Sequence, residues 1–223
     1  FIDSVRQYQK SLSDPDLLTD VRRFIGQEAH HGQEHEAFNL WLEEKGYPIA
    51  PVLQQIQQGL EQARKRLNPR QQLAMTLALE HFTAIMADQF LTNPELSEPI
   101  HPEVRALFSW HAMEETEHKA VAYDVYQATG GGYWTRVLMM VQITLLFWLH
   151  ILTITRAYLK SEGQGGIGQM ARGVWWLIGK PGPLRQLIPD YLDYFRPAFH
   201  PWQHDNRELI RPLQEALSDR VIN

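Results

Sequence analysis

The 223-residue sequence has no cysteine, so it can form neither a disulfide nor a thiolate ligand. Any bound metal must then rest on histidine and carboxylate, which favours iron, manganese or zinc over copper(I) or iron–sulfur clusters. The same absence fits a reducing cytoplasm. Runs of basic residues are missing too. Lysine and arginine are scattered through a chain of formal net charge −5, which gives no surface for tracking a phosphate backbone and excludes nucleic acid as the expected partner. Convincing period-two alternation and Asn-Gly turns are absent, which argues against a sheet. No methionine and no signal-peptide pattern stand at Phe1, and the start reads as a truncation or a disordered beginning. No linker, internal repeat or low-complexity tract divides the chain, so one domain over 1–223 is expected.

What the sequence does hold is helix chemistry. Phe1, Val5, Tyr8 and Leu12 fall on one helical face. "SDPD" (13–16) starts a helix, with Asp14 as N-cap and Pro15 in the first turn, and Lys45-Gly46 ends it near Glu44. A glutamine-rich amphipathic segment (52–67) follows, and "NP" at 68–69 starts a helix to about Leu91. The proline-rich loop 92–103 comes next, and Pro102 opens a helix to about Gln127, broken by Gly130-Gly131-Gly132. A long apolar helix is expected over 133–160, then short helices and turns over 161–223. The fold class is all-α.

Three of these helices carry titratable groups on apolar stripes. "EAHHGQEHE" (28–36) packs three histidines and three glutamates into nine positions. Steps of three and four place Val21, Phe24, Glu28, His31, His35, Phe38 and Leu42 on one face, while His30, Glu34 and Glu36 fall off it. In the helix from Pro102 the stripe is Val104, Phe108, His111, Glu115, His118, Ala122 and Val125, with Glu114 and Glu117 to either side. Between them, "LAMTLALEHFTAIMADQF" is apolar nearly all round, with Glu80 alone in an aliphatic seam and His81 pointing elsewhere. A buried lone carboxylate would protonate unless paired or bound to a cation. Three such stripes in one bundle point to a shared metal centre within 1–128.

Glu28-x-x-His31, Glu80 and Glu115-x-x-His118 resemble the ligand scheme of ferritin-like di-iron carboxylate bundles. On "QEAHHGQEH", "LEHFTA", "WHAMEETEHKAVAYDVY" and "AFHPW", the chain resembles the bacterial family of predicted metal-dependent hydrolases. His111-x-x-x-Glu115-x-x-His118 also resembles the arylamine N-oxygenase type of di-iron enzyme. These resemblances imply a ferritin-like helical bundle with additional C-terminal helices, holding two metal ions, iron first and manganese or zinc as alternatives. The implied ligands are Glu28, His31, Glu80, Glu115 and His118, with His111 a further ligand and His35 a ligand or partner of one. The scheme also needs a first-helix glutamate, which the stripe and the resemblance put about three residues before Phe1.

The activity expected first is a dinuclear, di-iron oxygenase acting on a hydrophobic or lipid-like small molecule, fed by an electron donor the sequence does not name. The alternative is a dinuclear metal-dependent hydrolase of an ester or phosphoester, and a third reading is a non-catalytic metal-binding bundle. The nineteen residues between Arg136 and Arg156 contain no Asp, Glu, Lys or Arg. They read as a central buried helix or a homodimer seam, or else as a pocket wall or a face docking on membrane through 137–155 or 170–180. "FHPWQH" (199–204) reads as a structural turn, because Pro201 separates His200 from His204.

Overall fold

The computed structural model describes residues 1–180 and 182–222, with side chains through Ala216. Helices and no strands are found among the described residues, an all-α architecture. In chain order the helices are α1 (Ile2–Arg6), α2 (Pro15–Glu44), α3 (Ile49–Arg66), α4 (Pro69–Thr92), α5 (Pro94–Ser97), α6 (Pro102–His118), α7 (Val121–Ala128), α8 (Tyr133–Ser161), α9 (Ile167–Ile178), α10 (Pro183–Gln186), α11 (Ile188–Asp193) and α12 (Arg207–Ile222).

Local chemistry sets most of the boundaries. Asp14 caps α2 by accepting from the backbone N–H groups of Asp16 and Leu17. Asn68 and Gln71 form a reciprocal capping box at the start of α4. Gly46, at φ +91°, takes the left-handed conformation that ends α2. Gly131 lies flat on the Tyr126 ring, where a Cβ would come within 2.1 Å of the ring, so the turn between α7 and α8 needs glycine there.

Three stretches differ from expectation. The helical stripe over 1–12 splits into α1 and a 3-10 turn at Gln9–Ser11, and the expected loop 92–103 holds the short helix α5. The helix from Pro102 stops at His118 and restarts at Val121 rather than running to Gln127. Lys119, in the break, is drawn into tertiary contacts: its ammonium donates to the His204 carbonyl at 2.5 Å and to Asn206 Oδ1 at 2.7 Å, over the Trp202 ring.

α4 is the central element. It packs against α6 and α7 on one side and α8 on the other, and it also touches α1 and α11. Its buried residues run all round, from Leu73 and Leu77 through Glu80, His81 and Phe82 to Ala87. α2 packs on α1, α6 and α7, and α12 lies against α6. The apolar helix expected at the centre is not there. α8 buries Arg136, Met139, Met140 and Ile143 against α4 and the C-terminal segment, and turns most of its length outward. Arg136, expected to flank an apolar span, is itself buried: it donates to the Tyr194 and Arg196 carbonyls at 2.5 and 2.8 Å, with the rings of Tyr123, Tyr133, Tyr194 and Phe199 around it.

Candidate metal centre

α2, α4 and α6 bring their titratable seams to one place. His31, Glu80, Glu115 and His118 are buried at 3, 1, 2 and 2 % exposure, and the Glu28 side chain is largely covered. One donor atom each from Glu28, His31, Glu115 and His118 fall within 4.8 Å of one another. His31 Nδ1 lies 3.7 Å from Glu28 Oε1 and 3.8 Å from Glu115 Oε1, and His118 Nε2 lies 3.4 Å from Glu28 Oε1. His31, His35 and His111 form an adjoining donor group, with His31 Nε2 facing His111 Nδ1 and His111 Nε2 3.6 Å from Glu115 Oε1.

Glu80 stands slightly apart from that four-donor group. Its Oε2 is 3.1 Å from His118 Nδ1, so it accepts from that nitrogen and turns His118 Nε2 toward Glu28. The residue expected three positions before Phe1 lies outside the described residues. His35 is exposed where α2 emerges from the bundle, and His30 and Glu36 face solvent as their off-stripe positions imply.

Whether these residues suit a metal can be tested on their unused valences. Glu28 Oε1, Glu80 Oε1, Glu115 Oε2 and His118 Nε2 are all buried without a hydrogen-bond partner. Buried polar atoms are nearly always satisfied, so four orphans among the side chains of one buried cluster fit a bound cation. The electrostatics agree. Burial, with the adjacent Glu80 charge, pushes Glu115 up to about 7. Burial likewise raises Glu80 against the pull of His118. Burial opposes charge on His118 as well, yet Glu80, Glu115 and Glu28 together hold it up to about 9. Burial, with the nearby His31 and His35, depresses His111 to about 3, which keeps its ring neutral and its lone pair free. The donor set is oxygen and nitrogen only, on three helices, and it fits a divalent metal.

Two features escape the helical stripes. Glu114, expected beside the seam, is buried with Oε2 unpartnered, because α6 is covered nearly all round from Ala112 to His118. Burial raises its carboxyl above the usual range. Trp110 sets its ring edge-on to His30 and His31, each 5.4 Å away. With Glu34, His35, Phe38, Leu107, Phe108 and His111 it lines a hollow of only about 10 Å³ beside the cluster.

Three further histidines are held in structural contacts. His81 Nε2 lies 3.2 Å from the Asp190 carbonyl, under Tyr194 and Phe199. His200 pairs with Asp124 at 2.9 Å and His204 with Asp193 at 3.0 Å, so the pair at 200 and 204 serves a turn.

A family model described as "Predicted metal-dependent hydrolase" matches residues 1–205. No curated protein and no solved structure matches.

Proposed function

This chain belongs to the predicted metal-dependent hydrolase family, and we propose that its buried glutamate–histidine cluster is a dinuclear metal centre that hydrolyses an ester or phosphoester of a hydrophobic small molecule. The observation that carries this reading is the set of four orphaned, buried donor atoms on Glu28, Glu80, Glu115 and His118. Glu28, His31, Glu115 and His118 would hold the metal, with His111 and His35 as the adjoining donors. A bound divalent metal supplies Lewis-acid polarisation of a carbonyl or phosphoryl oxygen and makes water acidic enough to act as a nucleophile near neutral pH.

The chain's own groups do the rest. Glu80 fixes the His118 ring through Nδ1. Glu114 Oε2, buried and unpartnered beside the donors, takes the proton released when water attacks. Phe38, Leu107, Phe108 and Trp110 form an apolar lip that strips water from the substrate. The hollow they enclose, about 10 Å³, is smaller than any substrate.

A second reading, the di-iron oxygenase, is favoured by the pairing of glutamates with histidines on successive helices, which resembles ferritin-like bundles. Elemental analysis of purified protein, followed by chromogenic ester and phosphoester assays, separates the two. Zinc or manganese with turnover that vanishes in Glu115→Ala supports the hydrolase. Iron, with oxygen uptake after reduction and no ester turnover, replaces it with the oxygenase. Protein that takes up no metal at all removes both.

A further inference from the structure

α8 is long and apolar enough to cross a membrane, yet only 17 % of its most apolar stretch is buried in the molecule. Its outward residues step by three and four from Trp134 through Leu138, Val141 and Leu145 to Leu149, an unbroken apolar stripe. α9 beside it has no buried residue at all, and Trp175, Trp176 and Ile178 stand exposed. Apolar surface on this scale marks a site of association.

Charge selects the occupant. From residue 133 to 187 six basic residues face one acid, Glu162, although the whole chain is net negative. Arg136 is buried, while Arg156, Lys160, Arg172, Lys180 and Arg185 are exposed beside the apolar residues. A second copy of the chain, docked through the same face, would set these cations against their own counterparts. An anionic lipid surface complements them, with tryptophans at the depth where amphipathic rings settle.

Two openings lie between α8 and α9. One is a cavity of about 560 Å³, lined by Trp148, Leu152, Val174 and Leu177 over a floor of Phe82 and Tyr191. The other is a groove of about 810 Å³, bordered by the cationic Arg156 and Lys160. The cavity is on the side of α4 away from the metal cluster: Phe82 stacks on Phe147 of α8, whereas Glu80 reaches His118 of α6.

We infer that the α8–α9 face is a docking surface for an anionic phospholipid bilayer, and that the cavity behind it seats an acyl chain drawn from that bilayer. The helix lies on the membrane rather than across it. One side of α8 is committed to the protein by Met139, Met140 and Ile143 and by Thr144 Oγ1, 2.9 Å from the Tyr191 hydroxyl.

The test is flotation of the full chain with unilamellar vesicles of phosphatidylcholine alone or mixed with phosphatidylglycerol. Binding to the mixed vesicles, weakened by salt and accompanied by a blue shift of tryptophan emission, is the expected result. Arg172→Glu with Lys180→Glu should lower that binding about tenfold or more, and Trp175→Ser with Trp176→Ser should diminish the shift, leaving the share of Trp134 and Trp148. Arg22→Glu, on the exposed face of α2, should leave both unchanged. All these substitutions lie on the surface, and circular dichroism of each variant verifies its helix content. Folded protein that floats with neither vesicle overturns the proposal. So does a stable dimer, seen by sedimentation, that Leu145→Asp dissociates while vesicle binding is absent, since that result gives the face to a second copy.

Discussion

Glu114 and Glu115 are adjacent in sequence and both buried, and the proposed function gives them different tasks. Glu115→Ala should abolish metal uptake measured by elemental analysis. Glu114→Ala should retain the metal while losing turnover by about two to four orders of magnitude, the usual contribution of a positioned proton acceptor. Equal metal loss in the two variants would refute this division. The stripes of α2 and α6 make Glu28, His31, Glu115 and His118 legible, because a core-facing seam must repeat every three to four residues. Glu114 is not legible that way, since periodicity assumes one covered face and this half of α6 has nearly all of its faces covered. His81 supplies a pH prediction. Burial depresses it to about 3 from an ordinary 6.5. The unfolded chain therefore binds a proton in that window which the folded chain refuses, so stability is fully present above about pH 6.5 and is lost as pH falls toward 3. His81→Gln keeps a donor for the Asp190 carbonyl and should be spared ~3 kcal/mol of the loss that wild type suffers between pH 6.5 and 4, read by urea titration at each pH.

The helices that begin at Pro15, Pro69 and Pro102 are readable because their start signals are local: a proline whose missing N–H costs nothing in a first turn, joined at the first two by the capping side chains of Asp14 and Asn68. The break after His118 was not readable, since Lys119 is held by residues more than eighty positions away. The outward turn of α8 was equally hidden, because composition alone does not distinguish a helix that the core covers from one that it leaves bare. Arg136 shows the cost of that ambiguity. It looks like a flank of an apolar run, yet it satisfies two carbonyls inside an aromatic enclosure that anchors the start of α8. Arg136→Leu would take the donor from the buried Tyr194 carbonyl and the partly buried Arg196 carbonyl, a loss of about 3 kcal/mol. Thermal unfolding should show a midpoint about 6–12 °C lower, and an unchanged midpoint would mean that those carbonyls find other donors.

Across the molecule, acids and imidazoles from three helices repel or strand one another unless a cation joins them. A metal that binds the folded chain and not the unfolded one stabilises it by about 2.7 kcal/mol at a hundredfold excess over its dissociation constant. Zinc, manganese or ferrous iron added to chelator-treated protein should then raise the unfolding midpoint by about 5–10 °C, and Glu115→Ala should abolish the rise. The order of the helices and their all-α class followed from patterning along the chain. How the last segment closes on the earlier ones depended on contacts that no local signal announces. Glu117 accepts from Gln27 of α2 and from Gln214 of α12, each at 2.6 Å, and Lys119 is gripped by the turn just before α12. The tail thus clasps α6 on either side of His118. During synthesis, a chain made only as far as residue 200 already has the imidazoles and acids of the cluster but not the residues that close the clasp. Closure around the cluster is therefore expected to wait until the segment through Gln214 has emerged.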